Sequence, residues 1–177
     1  VVFLKLRLDL RGIIVQLRIR GYNPGLKDDC FNAWCKVDFS FSSEPWLNYE
    51  QNDAEVFVSY EVSDLYFILK RLLCDELTEI EELDMREPDF NFTLHPKFDI
   101  RNDPKVAYVA LGHEIRDIFM DWRVCFWHDG LTPNYLSVSL KRKEIQYLCN
   151  YFGLVTGQLS ETDPAVRSMA DAGVLIQ

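Results

Sequence analysis

The chain lacks any run of 18 apolar residues, so no segment reads as a transmembrane helix. With 8 Gly and 7 Pro in 177 residues, it also lacks the composition of a linker or a collagen-like array, and no repeat or low-complexity tract interrupts it. Phosphate-cradling P-loops, the Gly-x-Gly-x-x-Gly dinucleotide turn and the Gly-x-Ser-x-Gly elbow are all missing, so no cofactor and no catalytic residue is expected. Residues 1–7 interleave charge with apolar side chains and lack the uninterrupted apolar stretch of a secretory signal. Cysteine is present but odd in number, and Cys30, Cys35, Cys74, Cys125 and Cys149 follow no framework spacing. Several sit in apolar runs, where thiols behave as small hydrophobes, so a reducing cytoplasm is expected.

What the chain does have is a 48% hydrophobic, 14% aromatic composition, enough for one compact domain that buries about 70% of its unfolded surface. Alternation at Leu4, Leu6, Leu8 and Leu10, and again at Ile13, Val15, Leu17 and Ile19, predicts two strands joined by a hairpin at Arg11-Gly12. Further strands are expected over 33–41, 56–60, 83–85, 90–94, 106–111, 123–127 and 135–140, with residues 42–53 as a polar link. Two segments change period. Ser63 or Asp64 would cap a helix carrying Leu65, Ile68, Leu69, Leu72 and Leu73, and Ser139 would cap one carrying Ile145, Leu148, Cys149 and Phe152. The pattern predicts an α+β fold with a largely antiparallel sheet of about eight to nine strands and two main helices. Residues 1–158 form the single domain in this reading, and residues 159–177 a C-terminal extension holding a small helix or an ordered tail.

Charge is unevenly spread. The net value is -9, yet residues 1–20 carry +4 and residues 21–100 carry -12. So acidic a surface repels phosphate, which argues against direct nucleic-acid binding and favours a basic protein partner. The densest part is the run from Asp75 to Asp89. Its eight carboxylates, Asp75, Glu76, Glu79, Glu81, Glu82, Asp84, Glu87 and Asp89, stand against Arg86 alone. An EF-hand pattern is absent, so two readings are weighed: a solvated face, or a contact surface for a basic protein. Clustering of Asp28, Asp29, Asp53 and Glu55 with the run would favour the second.

Trp34, Trp46, Trp122 and Trp127 are either core residues or interface anchors. Trp46, beside Pro45 in a polar stretch, is the best candidate for exposure, followed by Trp34 on the polar phase of its strand. His113-Glu114-Ile115-Arg116-Asp117 resembles half of a zinc-protease motif, but Asp117 stands where the second His is needed. A small metal hydrolase using His113 and Glu114 with His95 or His128 is therefore kept only as an alternative to a satisfied His beside a surface carboxylate. Nucleophilic Cys-His chemistry needs proximity in space and is not legible from spacing.

Read in order, several phrases resemble the WapI-type immunity proteins of bacterial contact-dependent toxin systems. They are Phe31-Asn32-Ala33-Trp34 leading into a strand, the loop with Trp46, the segment 56–60 followed by the helix from Ser63, and Glu87-Pro88-Asp89-Phe90-Asn91-Phe92. The strand ending in His113-Glu114, residues 135–140 and the closing helix from Lys141 continue the same layout over residues 13–158. The resemblance implies a non-enzymatic cytoplasmic inhibitor that binds a cognate toxin domain, often a nuclease. A nuclease grips phosphate through a basic cleft, which the acidic charge would complement. On this reading Asp75, Glu76, Glu79, Glu81, Glu82, Asp84 and Trp46 form the toxin-binding surface, with no metal and no membrane partner. Glu87 and Pro88 also serve as a strand start, since Pro lacks an N–H and restricts Glu87 to extended backbone. An uncovered sheet edge would also admit a homodimer. The alternative is an interaction module with no toxin partner.

Overall fold

The computed structural model describes residues 4–26 and 33–177. The expectations that fall on Asp28, Asp29, Cys30, Phe31 and Asn32 lie outside the described residues. In chain order the elements are β1 (Lys5–Asp9), β2 (Ile14–Arg20), β3 (Lys36–Ser43), β4 (Leu47–Ala54), α1 (Ser59–Leu73), β5 (Glu81–Asp84), β6 (Phe90–His95), β7 (Phe98–Asp99), β8 (Ile115–Arg116), β9 (Phe119–Trp127), β10 (Leu131–Lys141), α2 (Arg142–Val155), α3 (Pro164–Asp171) and β11 (Leu175–Ile176). All strand pairings are antiparallel, and the fold is α+β.

One sheet runs β11-β1-β2-β3-β4 and a second runs β10-β9-β6-β5, with β7 and β8 as a separate ribbon. The β1–β2 hairpin turns at Arg11 and Gly12, both with positive φ (58° and 102°), the geometry that matches the twist of paired strands. Period-2 burial turns Phe39 and Phe41 of β3 inward, where they meet Phe90 and Trp122 of the other sheet at ring-centroid distances of 4.8 and 5.3 Å. Edge-to-face contacts of this kind add to the burial of their area.

Both main helices close over this aromatic centre. Leu65, Leu69 and Leu72 of α1 are buried, as are Ile145, Leu148, Cys149 and Phe152 of α2, so the expected apolar faces are those used. The helices approach closely at Gly153, where an added Cβ would lie 2.8 Å from the Tyr66 ring. Tyr151 fastens α2 to the first sheet: its hydroxyl accepts from the Ile19 N–H (2.9 Å) and donates to the Leu4 carbonyl (3.3 Å).

Several sequence expectations need correction. Residues 56–60 are not a strand. Val58 makes one isolated bridge to Trp34, and α1 begins at Ser59, ahead of the expected Ser63 or Asp64 cap. Similarly, α2 is capped from Lys141, while Ser139 belongs to β10. The supposed polar link contains β4, whose Leu47 and Tyr49 pack on the core. Residues 106–111 are irregular loop instead of a strand, with Tyr108 and Leu111 exposed, because no strand among the described residues pairs with them. Residues 159–177 join the same core: β11 pairs with β1, and Val166, Met169 and Leu175 are buried. Among the described residues, no helix is long and apolar enough to cross a membrane.

Candidate docking surface

The acidic run passes from the end of α1 through a loop into β5 and on to the start of β6. Asp75 follows α1 with φ 59° and is engaged in ion pairs at the surface, accepting from Lys97 Nζ (2.6 Å) and from Arg142 Nη2 (2.7 Å). Arg142, the first residue of α2, also donates to Asp117 (2.7 Å) and to the Leu73 carbonyl (2.9 Å), so one guanidinium ties the end of α1 to the start of α2. Lys97 and then Arg142 hold the Asp75 carboxyl below the usual aspartate value, and Arg142 does the same for Asp117. Glu76 and Glu79 are exposed in the turn beyond.

Glu81 to Asp84 form β5, paired with β6 in the register Glu81↔Leu94, Glu82↔Thr93, Leu83↔Phe92 and Asp84↔Asn91. Among the described residues β5 is the terminal strand of its sheet and has no second strand neighbour. Alternation leaves Glu82 and Asp84 exposed while Leu83 packs inward. The Asp84 carboxylate accepts from Asn91 Nδ2 at 2.6 Å, which holds it at the strand end.

Between β5 and the outer face of α1 lies an open groove of about 710 Å³. Phe67, Ile68, Leu83 and Met85 give it apolar walls, and charges of both signs line it, Asp64, Glu82 and Asp84 with Arg71 and Arg86. Phe67 is 51% exposed although it is a large hydrophobic residue. Glu61 also lines the groove, a carboxylate only 7% exposed that accepts from the Val58 N–H (2.9 Å) and from the Arg86 N–H (2.6 Å). It thereby caps α1 and fixes the end of β5 with one side chain. Burial pushes its carboxyl above the usual glutamate value, partly offset by these two amides.

Of the expected surface residues, the groove therefore gathers Glu82 and Asp84, with Glu81 on the same strand. Asp75, though exposed, is already ion-paired to Lys97 and Arg142. Trp46, 65% exposed at the β3–β4 turn, does not line the groove. Phe67 escaped the sequence reading, although it lies off the apolar phase of α1 and so carried a signal, while Asp64, Ile68 and Met85 were legible only as parts of a helix and a strand.

The metal-hydrolase residues are not brought together. His95 stacks on Phe119 (3.9 Å) and hydrogen-bonds Asp121 (3.0 Å), whereas His113 sits in a turn and His128 is exposed. Among the described residues, no group of three or more His, Cys, Asp or Glu side chains is placed to hold a metal ion. Burial raises the thiols of Cys35 to about 11 and Cys149 to about 12, opposite to the activation of a nucleophile. Comparison of the chain with protein-family models, with curated proteins and with solved structures gives no match in any of the three.

Proposed function

We propose that the chain is a non-enzymatic inhibitor of WapI immunity type, acting in the cytoplasm, that neutralises a basic toxin domain by occupying its surface. The observation that carries this reading is the coincidence of three features at β5: an unpaired sheet edge, an apolar groove against α1, and exposed carboxylates at Glu82 and Asp84. Exposed apolar surface lined by Asp64, Glu82 and Asp84 as well as Arg71 and Arg86 suits a protein contact in which hydrophobic burial supplies affinity, while the acidic balance of residues 21–100 supplies rate and orientation. A second copy is a poor occupant of this edge, since antiparallel self-pairing would set carboxylates of the two chains near one another.

The test is co-expression of the tagged chain with an inactivated toxin domain from its own locus. A stoichiometric, salt-sensitive complex, together with protection against the active toxin, is expected. Neither complex nor protection would overturn the inhibitor reading and leave an interaction module without a toxin partner.

A further inference from the structure

A second cavity, of about 570 Å³, takes Glu87 and Asp89 into its lining, the residues that follow the groove-lining Glu82 to Arg86 in the chain. Trp34, Gln51, Glu55, Glu87, Asp89 and Trp127 line it. Three parts of the fold converge there: Trp34 bridges to Val58 ahead of α1, Trp127 ends β9, and Asp89 precedes β6. Trp34 is half-buried and Trp127 is 38% exposed, so both contribute surface to the cavity.

The carboxylates in this cavity differ from those of a solvated face. Asp89 is only 8% exposed and forms no ion pair with any described residue. Burial raises its carboxyl above the usual aspartate value, offset by its own backbone and by hydrogen bonding from the Trp127 side chain. Glu87 is half-buried and likewise has no ion pair among the described residues, while Glu55 is paired with Lys36. A buried negative charge without a counter-charge is unfavourable, and a cation entering the cavity would relieve it. Indole is the aromatic face most attractive to cations. A guanidinium answers both features, because its plane stacks on aromatic rings while its N–H fork bonds carboxylates.

We propose that the Trp34–Trp127 cavity receives an arginine side chain of a basic protein partner, its guanidinium bound by Glu87 and Asp89 against the indoles. The identity of that partner rests on the inhibitor reading above, but the chemistry of the cavity does not. An anionic ligand would meet Glu55, Glu87 and Asp89 together and is excluded by their charge. Since Arg86 of the β5 groove and Glu87 of this cavity are consecutive in the chain, one partner segment would reach both, its apolar side chains against Phe67 and Met85 and its arginine beside Glu87.

Titration of the whole protein with Nα-acetyl-arginine amide, followed through the indole N–H resonances by NMR, tests this directly. Trp34 and Trp127 are expected to shift saturably with millimolar affinity. The buried Trp122 and the distant hairpin residue Trp46 should stay still. Glu87→Gln should weaken binding about three- to tenfold, as should Asp89→Asn. If Asp89→Asn does not fold, Glu87→Gln and Trp34→Leu carry the test. No saturable shift at tens of millimolar, equal movement of all four indoles, or equally tight binding of the lysine analogue would overturn the proposal. Arginine-amide binding without any toxin complex would remove only the inhibitor reading. A toxin complex undiminished by Glu87→Gln would remove only the arginine pocket.

Discussion

Glu61 and Arg142 show how single side chains set the geometry around the docking surface. Glu61 satisfies two backbone amides, at Val58 and Arg86, that would otherwise be left unpaired beside the core. Glu61→Gln keeps the shape but presents one carbonyl oxygen to two donors. It should therefore lower unfolding free energy by about 1–3 kcal/mol in urea titrations. Because burial raises the Glu61 carboxyl, the folded state binds this proton more readily than the unfolded chain. Its contribution is therefore most favourable below the ordinary glutamate range and declines as pH rises through the raised folded value, a decline that the glutamine variant should lack. Asp75 and Asp117 act in the opposite sense. Their carboxyls are lowered by Lys97 and Arg142, so the stability they lend is present above the ordinary aspartate range and is lost as pH falls through the folded values. Arg142→Met should cost only about 1–2 kcal/mol at neutral pH, since these groups are partly solvent-screened. In thermal melts the gap from the wild type should narrow in acid; a gap independent of pH would show that the ion pairs contribute nothing.

At the scale of elements, the buried periodicities of α1 and α2 were legible because each helix must bury one stripe, and the stripes at Leu65 to Leu73 and Ile145 to Phe152 are the ones buried. Their starts were not legible, for a shared reason. Both helices use a glutamate three residues in, Glu61 and Glu144, to accept from the N–H of a Val58 or Lys141 cap. A search for Ser, Thr, Asp or Asn caps therefore passes over them and stops at Ser63 or Ser139. β4 was missed because an edge strand with few apolar residues reads as a polar link. Residues 106–111 show the reverse: strand-like composition without a partner strand among the described residues leaves an irregular loop. In the candidate site, the acidity of β5 could be read directly, whereas its pairing with a groove on α1 depends on contacts between residues far apart in sequence. The C-terminal segment belongs to this scale as well. Deleting residues 159–177 would strip β11 from β1 and uncover the surfaces that Val166, Met169 and Leu175 bury. A loss of at least about 4 kcal/mol is expected in urea unfolding, taking each side chain at its usual transfer value. A truncated protein of unchanged stability would make the segment an appendage.

Across the whole molecule, the separation of charge from apolar surface determines what can approach β5. Its Glu82 and Asp84 stand at an open sheet edge, where like charges discourage pairing between identical chains and opposite charges would be welcomed. Replacing both with Val should turn a strand that resists itself into one that pairs. Sedimentation velocity is then expected to show concentration-dependent dimers that the parent protein does not form through this edge. A variant that stays as the parent does would mean that the shortness of β5, rather than its charge, protects it. The same carboxylates should steer a basic partner from a distance, because the -12 balance of residues 21–100 acts well beyond contact at low ionic strength. Glu79→Lys with Glu82→Lys alters two exposed residues that make no ion pair with the described residues, so the fold should be kept. Stopped-flow association with the toxin domain should then slow by about tenfold at low salt, with a shallower dependence on ionic strength, while dissociation changes less. If the association rate is unchanged and only dissociation quickens, β5 acts by contact alone and long-range attraction has no part in recognition.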